Sequence, residues 1–189
     1  GPPERVGTAR LLSRYGLRPD TDLGQHFLLD ENLVDLAVRE GDVGRDDVVL
    51  EVGPGLGTLT AALARAARHV HASEIDRRLE PVLTDVLSGI NNVTINWGDA
   101  LDLDWEALTP APTRMVANLP YSIATPVVLE SLWRLPTITS WAVMVQREVG
   151  DRWMAPVGSA LYGAPSVLMQ LAATVRLVPR PTGGTVTFR

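Results

Sequence analysis

Residues 47–67 read DVVLEVGPGLGTLTAALARAA, and three textures follow one another within them. Residues 47–52 are a short apolar run of the length a buried strand has; 53–57 are rich in glycine; 58–67 are rich in alanine and leucine, the composition of a helix. A strand that turns through glycines straight into a helix is the opening of a strand–helix–strand unit, in which the turn and the first N–H groups of the helix lie ready for a ligand. The glycines stand at 53, 55 and 57. Counted from Gly55, Thr60 occupies the third glycine's place in the G-x-G-x-x-G dinucleotide pattern, and Pro54 stiffens the turn, so the loop favours an adenosine ligand other than NAD.

Outward from this unit the same alternation repeats. On the N-terminal side, 8–17 is weakly helical, and 24–40 contains a better helix with Asp30 as its N-cap, Glu31 in its first turn and Leu33, Val34, Ala37 and Val38 on one face. On the other side come strands at 69–73, 93–97, 114–118, 140–146 and 169–178, and helices at 77–87, 125–133 and 147–154. Strands alternating with helices predict an α/β fold: a Rossmann-like, mostly parallel central sheet with helices on both faces. We expect an N-terminal extension over 1–23 and one catalytic domain over 24–189. Ligands of such sheets bind at the carboxyl ends of the strands, so the chemistry is to be sought in strand-to-helix loops.

Composition narrows the classes. The chain has 189 residues, 46% of them hydrophobic, enough for one substantial core, with no 18-residue apolar stretch and no signal-peptide pattern, so a soluble cytoplasmic protein is expected. With no cysteine and three scattered histidines, neither a disulfide framework nor a metal site is expected. The formal net charge of −5 looks wrong for a nucleic-acid binder, but it hides an asymmetry: residues 1–105 carry net −8, and residues 106–189 carry net +3.

Four loops carry candidate chemistry. Gly53 and Gly55 let a ligand approach the backbone of the first. Glu74 ends the second strand 21 residues after Gly53, a spacing at which a carboxylate accepts hydrogen bonds from both hydroxyls of a ribose. Asp99, in NWGDAL after the third strand, can accept from an adenine amino group. The fourth loop is Asn118-Leu119-Pro120-Tyr121, at the end of the fourth strand. Methylating the exocyclic amine of a base requires acceptors that hold its two hydrogens and leave the lone pair on nitrogen. The Asn118 side-chain oxygen and a backbone carbonyl turned outward before Pro120 supply that pair, and Tyr121 offers a ring on which an unstacked base can rest.

The strings GQHFLLD, EVGPGLGTLT, SEID, GDAL, NLPYSIATPVV, QREVGDR and YGAPSV, in this order, resemble the ribosomal RNA adenine dimethyltransferases that use S-adenosyl-L-methionine, over roughly residues 20–175. NLPY-IATP is more similar to the small-subunit housekeeping branch than to the antibiotic-resistance branch. The resemblance implies that His26 and Leu28 contact the methionine end of the cofactor and Gly53 lies against it, that Glu74 holds its ribose and Asp99 its adenine, that Asn118 serves both the cofactor side and the target amine, and that Tyr121 stacks on the flipped adenine. His26 and Phe27 also suit a purely structural task, pinning the N-terminal segment over the site. The implied activity is dimethylation of N6 on two adjacent adenines near the 3′ end of small-subunit (16S) rRNA in an assembling particle, by a monomer that engages neither DNA nor membrane.

Two departures from the family pattern carry expectations. The family carries a phenylalanine shortly before a Pro-x-Pro-x-Val-x-Ser string where VPRPTGGTVTFR stands here, so an aromatic on the second face of the target base is expected to be missing. The family's small helical C-terminal domain, which helps engage RNA, is likewise expected to be lacking, which would weaken RNA binding. The open alternatives are a resistance-type methyltransferase of large-subunit rRNA, a non-catalytic RNA-binding assembly factor, and an NAD-dependent oxidoreductase.

Overall fold

A computed structural model describes residues 13–16, 31–172, 175–180 and 183–188, the last two stretches as backbone. In chain order the elements are α1 (Glu31–Glu40), β1 (Val48–Val52), α2 (Thr58–Ala66), β2 (His69–Glu74), α3 (Glu80–Val86), β3 (Val93–Trp97), β4 (Arg114–Asn118), α4 (Ala124–Arg134), β5 (Ser140–Val145), α5 (Arg147–Trp153), α6 (Ala164–Ala172), β6 (Val175–Arg180) and β7 (Gly183–Phe188). The strands form one sheet in the order β3-β2-β1-β4-β5-β7-β6. The first five are parallel, and β7 runs antiparallel to both β5 and β6.

The alternation of side chains along a strand divides the core between the two faces. Val49, Val116, Ala142 and Met144 meet Val34 and Ala37 of α1 and Leu59 and Leu63 of α2. Their neighbours Leu50, Met115, Ala117, Trp141 and Val143 point the other way, onto Val127 and Val128 of α4, Val149 and Trp153 of α5, and Met169 of α6. All five residues of β1 are buried, as expected of a strand covered on both faces. The indoles inside the second core are satisfied: Trp105 Nε1 donates to Ala100 O at 2.7 Å and Trp141 Nε1 to Ser131 Oγ at 2.8 Å.

The expected α/β fold with a mostly parallel sheet is the observed one. The C-terminal part differs from the sequence reading. The strand expected over 169–178 is divided: residues up to Ala172 belong to α6, where Ser166 and Met169 are buried on one face, and β6 starts at Val175. The segment 183–188, for which the sequence reading gives no element, is β7. Pro179 in β6 lacks an N–H, and β6 tolerates it because it is the sheet's edge strand. The helix expected over 77–87 begins as a 3₁₀ turn, Arg77–Leu79, with the Asp76 carboxylate accepting from the Arg78 N–H. Asp30, the expected cap of α1, lies outside the described residues. Among the described residues no helix is long and apolar enough to cross a membrane.

The chain leaves α1 through Gly41, and a Cβ there would sit 2.6 Å from Val116 Cγ2 and 3.1 Å from the Ala37 carbonyl oxygen. Valine in a buried strand has no free rotamer with which to yield. Gly41→Ala should therefore destabilise by about 1–3 kcal/mol, lowering the melting temperature by several degrees. An unchanged melting curve would show that α1 is not docked this closely on the sheet.

Candidate active site

The strand order places the carboxyl ends of β3, β2, β1, β4 and β5 side by side, and the direction of winding reverses between β1 and β4. Four of the sequence-selected positions come together along this edge, with Asp99 beyond β3, Glu74 ending β2, Gly53 after β1 and Asn118 ending β4. At the reversal Gly53 takes φ 74°, and a Cβ built there would meet only the Asn118 carbonyl oxygen, at 3.9 Å. Gly55 (φ 58°) and Gly57 (φ 84°) are also left-handed, so the whole turn depends on residues that tolerate that region.

Glu74 is 4% exposed, and its carboxylate is held from both sides. Oε1 accepts from the Gly55 N–H at 3.2 Å and Oε2 from the Asp76 N–H at 3.0 Å, while its carbonyl accepts from the Gly98 N–H at 2.9 Å. Burial raises its pKa, and the Asp76 and Gly55 amides oppose that shift. Each carboxylate oxygen keeps lone-pair capacity for a further donor. Asp99 is exposed; its Oδ1 accepts from the Leu101 N–H at 2.9 Å, and the buried Trp105 fixes the turn behind it through Ala100.

The fourth loop is anchored from beneath. Leu119 is buried and donates its N–H to Met144 O of β5 at 2.9 Å. Pro120 O accepts from Ile123 and Ala124, which starts α4, and Trp153 Nε1 holds Thr125 Oγ1 at 3.0 Å. Above this platform Tyr121 is 56% exposed. His26 and Leu28, expected at the methionine end of a cofactor, lie outside the described residues, as do Pro181 and Thr182 in the segment where the family's aromatic was sought.

Two residues of the site were not singled out from the sequence. Ile75, between Glu74 and Asp76, is 56% exposed and puts an apolar side chain beside the Glu74 carboxylate in sequence. Glu51 is the acid within the otherwise apolar β1, and that contrast was the available signal. It is 1% exposed and accepts from Thr60 Oγ1 of α2 at 2.5 Å. Burial pushes its pKa up to about 8; the Thr60 bond opposes the shift and the nearby Glu74 charge adds to it. Among the described residues no cluster of acids and histidines could hold a metal ion.

The family model for ribosomal RNA adenine dimethylase matches residues 17–180. The chain belongs to that family. It is 41% identical over 182 residues to a ribosomal RNA small subunit methyltransferase A from Lactiplantibacillus plantarum, a match covering 92% of this chain and 62% of that protein. The chain spans less than two thirds of the length of the first curated relatives it matches. Among solved structures it is similar to a dimethyladenosine transferase from Plasmodium falciparum (26% identity, TM-score 0.76, covering 86% of this chain and 62% of that one). It is also similar to the 23S rRNA methyltransferase ErmE (28% identity, TM-score 0.71, covering 87% and 69%). The sheet with its flanking helices is that of the Rossmann-like class I methyltransferases.

The Glu51 shift fixes the sign of a pH dependence. Its unfolded carboxyl titrates near 4.5 and its folded one near 8, so its contribution to stability is fully present below about 4.5 and is lost as pH rises through about 8. Glu51→Gln, which keeps the shape without the charge, should melt progressively higher than the wild type as pH is raised from about 5 to about 9. A difference in melting temperature that does not change with pH would show that Glu51 does not titrate in this window.

Proposed function

We propose that the chain carries the catalytic part of an S-adenosyl-L-methionine-dependent rRNA adenine N6,N6-dimethyltransferase that acts on two adjacent adenines near the 3′ end of small-subunit rRNA. The observation that carries the reading is the row Asp99, Glu74, Gly53 and Asn118 along one sheet edge in a chain of this family. The small-subunit branch is favoured by the curated relatives, at 36–47% identity, over the large-subunit enzyme ErmE at 28%. The proposed partner is small-subunit rRNA in an assembling particle, met by a monomer in the cytoplasm.

The residues present fit the cofactor. A ribose offers two hydroxyl donors, and Glu74 presents a buried, backbone-fixed carboxylate with room for both. Ile75 offers an apolar wall to an adenine and Asp99 an acceptor to its amine. Gly53 and Gly55 let the ligand lie on the backbone, and the carboxyls of Glu51 and Glu74 beneath them make the surroundings congenial to a cation. Bound there, the cofactor would supply an electrophilic methyl group on a positively charged sulfur.

What remains to this chain's residues is alignment. Asn118 Oδ1 and the Leu119 carbonyl accept the two hydrogens of the target amine, so that its lone pair is no longer delocalised into the ring and points at the methyl group. Tyr121, exposed above the anchored loop, carries the flipped base. No side chain needs to act as a strong base, because the alkylated nitrogen is cationic and loses its proton readily. The rate comes from holding amine and methyl in line.

Asn118→Ala should lower single-turnover methylation on the order of 10²–10³-fold with little change in melting temperature. Near-normal methylation by that variant would remove Asn118 from catalysis. Glu74→Ala should abolish most of the thermal stabilisation that cofactor confers on the wild type, and an equal shift in both would remove Glu74 from the ribose site. The function itself is tested with labelled cofactor and undermethylated small-subunit particles beside large-subunit rRNA. Label on the adjacent small-subunit adenines supports the proposal, and label on large-subunit rRNA alone replaces it with the resistance-type reading.

A further inference from the structure

The glycine loop leans on α3. A Cβ on Gly57 would lie 3.0 Å from Leu83 Cδ2 and 3.2 Å from Val86 Cγ1, both on that helix. Next to Gly57, Leu56 is buried in a small apolar cluster with Leu79, Val82 and Leu83, bordered by Val86, Leu87 and Trp97. This cluster is separate from the two cores that flank the sheet, and it draws on three loops at once: Leu56 belongs to the glycine turn, Leu79 follows Asp76 by three residues, and Trp97 precedes Asp99 by two. Through this cluster α3 packs against the segments that carry Gly55, Glu74 and Asp99.

A seven-residue helix does not hold its own position. From outside the sheet it is held by Tyr15, 70 residues earlier in the chain. The Tyr15 ring packs on the same cluster, its hydroxyl donates to Asp85 Oδ2 of α3, and the Arg14 guanidinium lies 5.7 Å from the ring centroid. Asp85 neighbours Val86, one of the two residues on which Gly57 rests. The contact thus grips α3 beside the point where the helix supports the turn.

We propose that Tyr15, through its hydrogen bond to Asp85 and its packing on the α3 cluster, is a positioning residue that sets cofactor affinity by holding α3 against the glycine loop. The inference rests on the cofactor reading above. Tyr15 lies outside the row of Asp99, Glu74, Gly53 and Asn118, so its effect passes through the cluster rather than through direct contact with a ligand.

The test measures cofactor dissociation constants by calorimetry and kcat at saturating cofactor on undermethylated small-subunit particles, for wild type, Tyr15→Phe, Tyr15→Ala and Asp85→Asn. Tyr15→Ala should weaken cofactor binding about tenfold and leave kcat within about twofold. Tyr15→Phe, which keeps the ring and the fold, should weaken binding about threefold, and Asp85→Asn, which keeps an acceptor, should stay closer to wild type. Variants that melt lower but bind cofactor as wild type does would reduce Tyr15 to a structural contact and overturn the inference while leaving the cofactor reading intact. A fall in kcat with unchanged affinity would overturn it as well. Failure of the wild type itself to bind S-adenosyl-L-methionine would overturn both.

Discussion

The arrangement depends on β1 being buried on both faces with the chain departing from it in opposite directions. From β1 the chain winds outward through β2 to β3, then returns past β1 to β4 and on to β5. Parallel pairing brings the carboxyl ends of β1 to β5 to one edge, and the reversal sets the turns after β1 and β4 side by side there. Gly53 follows the last residue of β1 and Asn118 is the last residue of β4, the strand beside it, so the strand order brings them to the same part of the edge. The site is a consequence of topology, and the glycines are what the topology requires of the sequence.

Much of this was legible because local pattern and global fold agree. The run VVLEV, the glycine turn and the alanine-rich helix are consistent with one another at every level, and the spacing to Glu74 and Asp99 follows from the lengths of one helix and one strand. The C-terminal part was less legible for a physical reason. The stretch 169–178 is mostly apolar, and a short apolar run does not say whether it is strand or helix; the burial of Ser166 and Met169 on one face of α6 decides that, and no local signal carries it. Gly183 and Gly184 give no strand signal of their own, yet β5 and β6 on either side supply β7 with partners along its length. Glu51 was passed over because an acid in a glycine-loop strand looks incidental until the Thr60 bond and its burial are seen.

The site's carboxyls show how placement sets chemistry. Glu74 is buried but satisfied by two backbone N–H groups, which work against the effect of burial and favour its charged form. Glu51, one strand away, is buried with a hydroxyl as its partner, and its pKa rises to about 8. Two residues of the same type therefore divide between a carboxylate fit to receive hydroxyl donors and a carboxyl that yields its proton only above neutrality or to a nearby cation. The second behaviour matters in a site proposed to take a sulfonium, because positive charge brought close to Glu51 favours its ionised form.

The charge asymmetry of the chain gains a spatial meaning from the same reversal. The net −8 of residues 1–105 falls on the part that ends with β3, and the net +3 of residues 106–189 falls on the part that builds β4, β5, β6 and β7. Residues 106–172 balance four arginines against four acids, and the surplus comes from Arg176, Arg180 and Arg189, so the edge between β1 and β4 divides an acidic part of the chain from a balanced one. On its acidic side stand Glu74 and Asp99; on the other, Arg147 and Arg152 share α5, the helix that follows β5, with Glu148 and Asp151, and Arg147 lies 3.8 Å from Asp151. An anionic polymer approaching this edge would be repelled less on the β4 side, where Tyr121 stands, than on the β2–β3 side. What such a polymer meets is set by the local field across the sheet edge rather than by the charge of the whole chain.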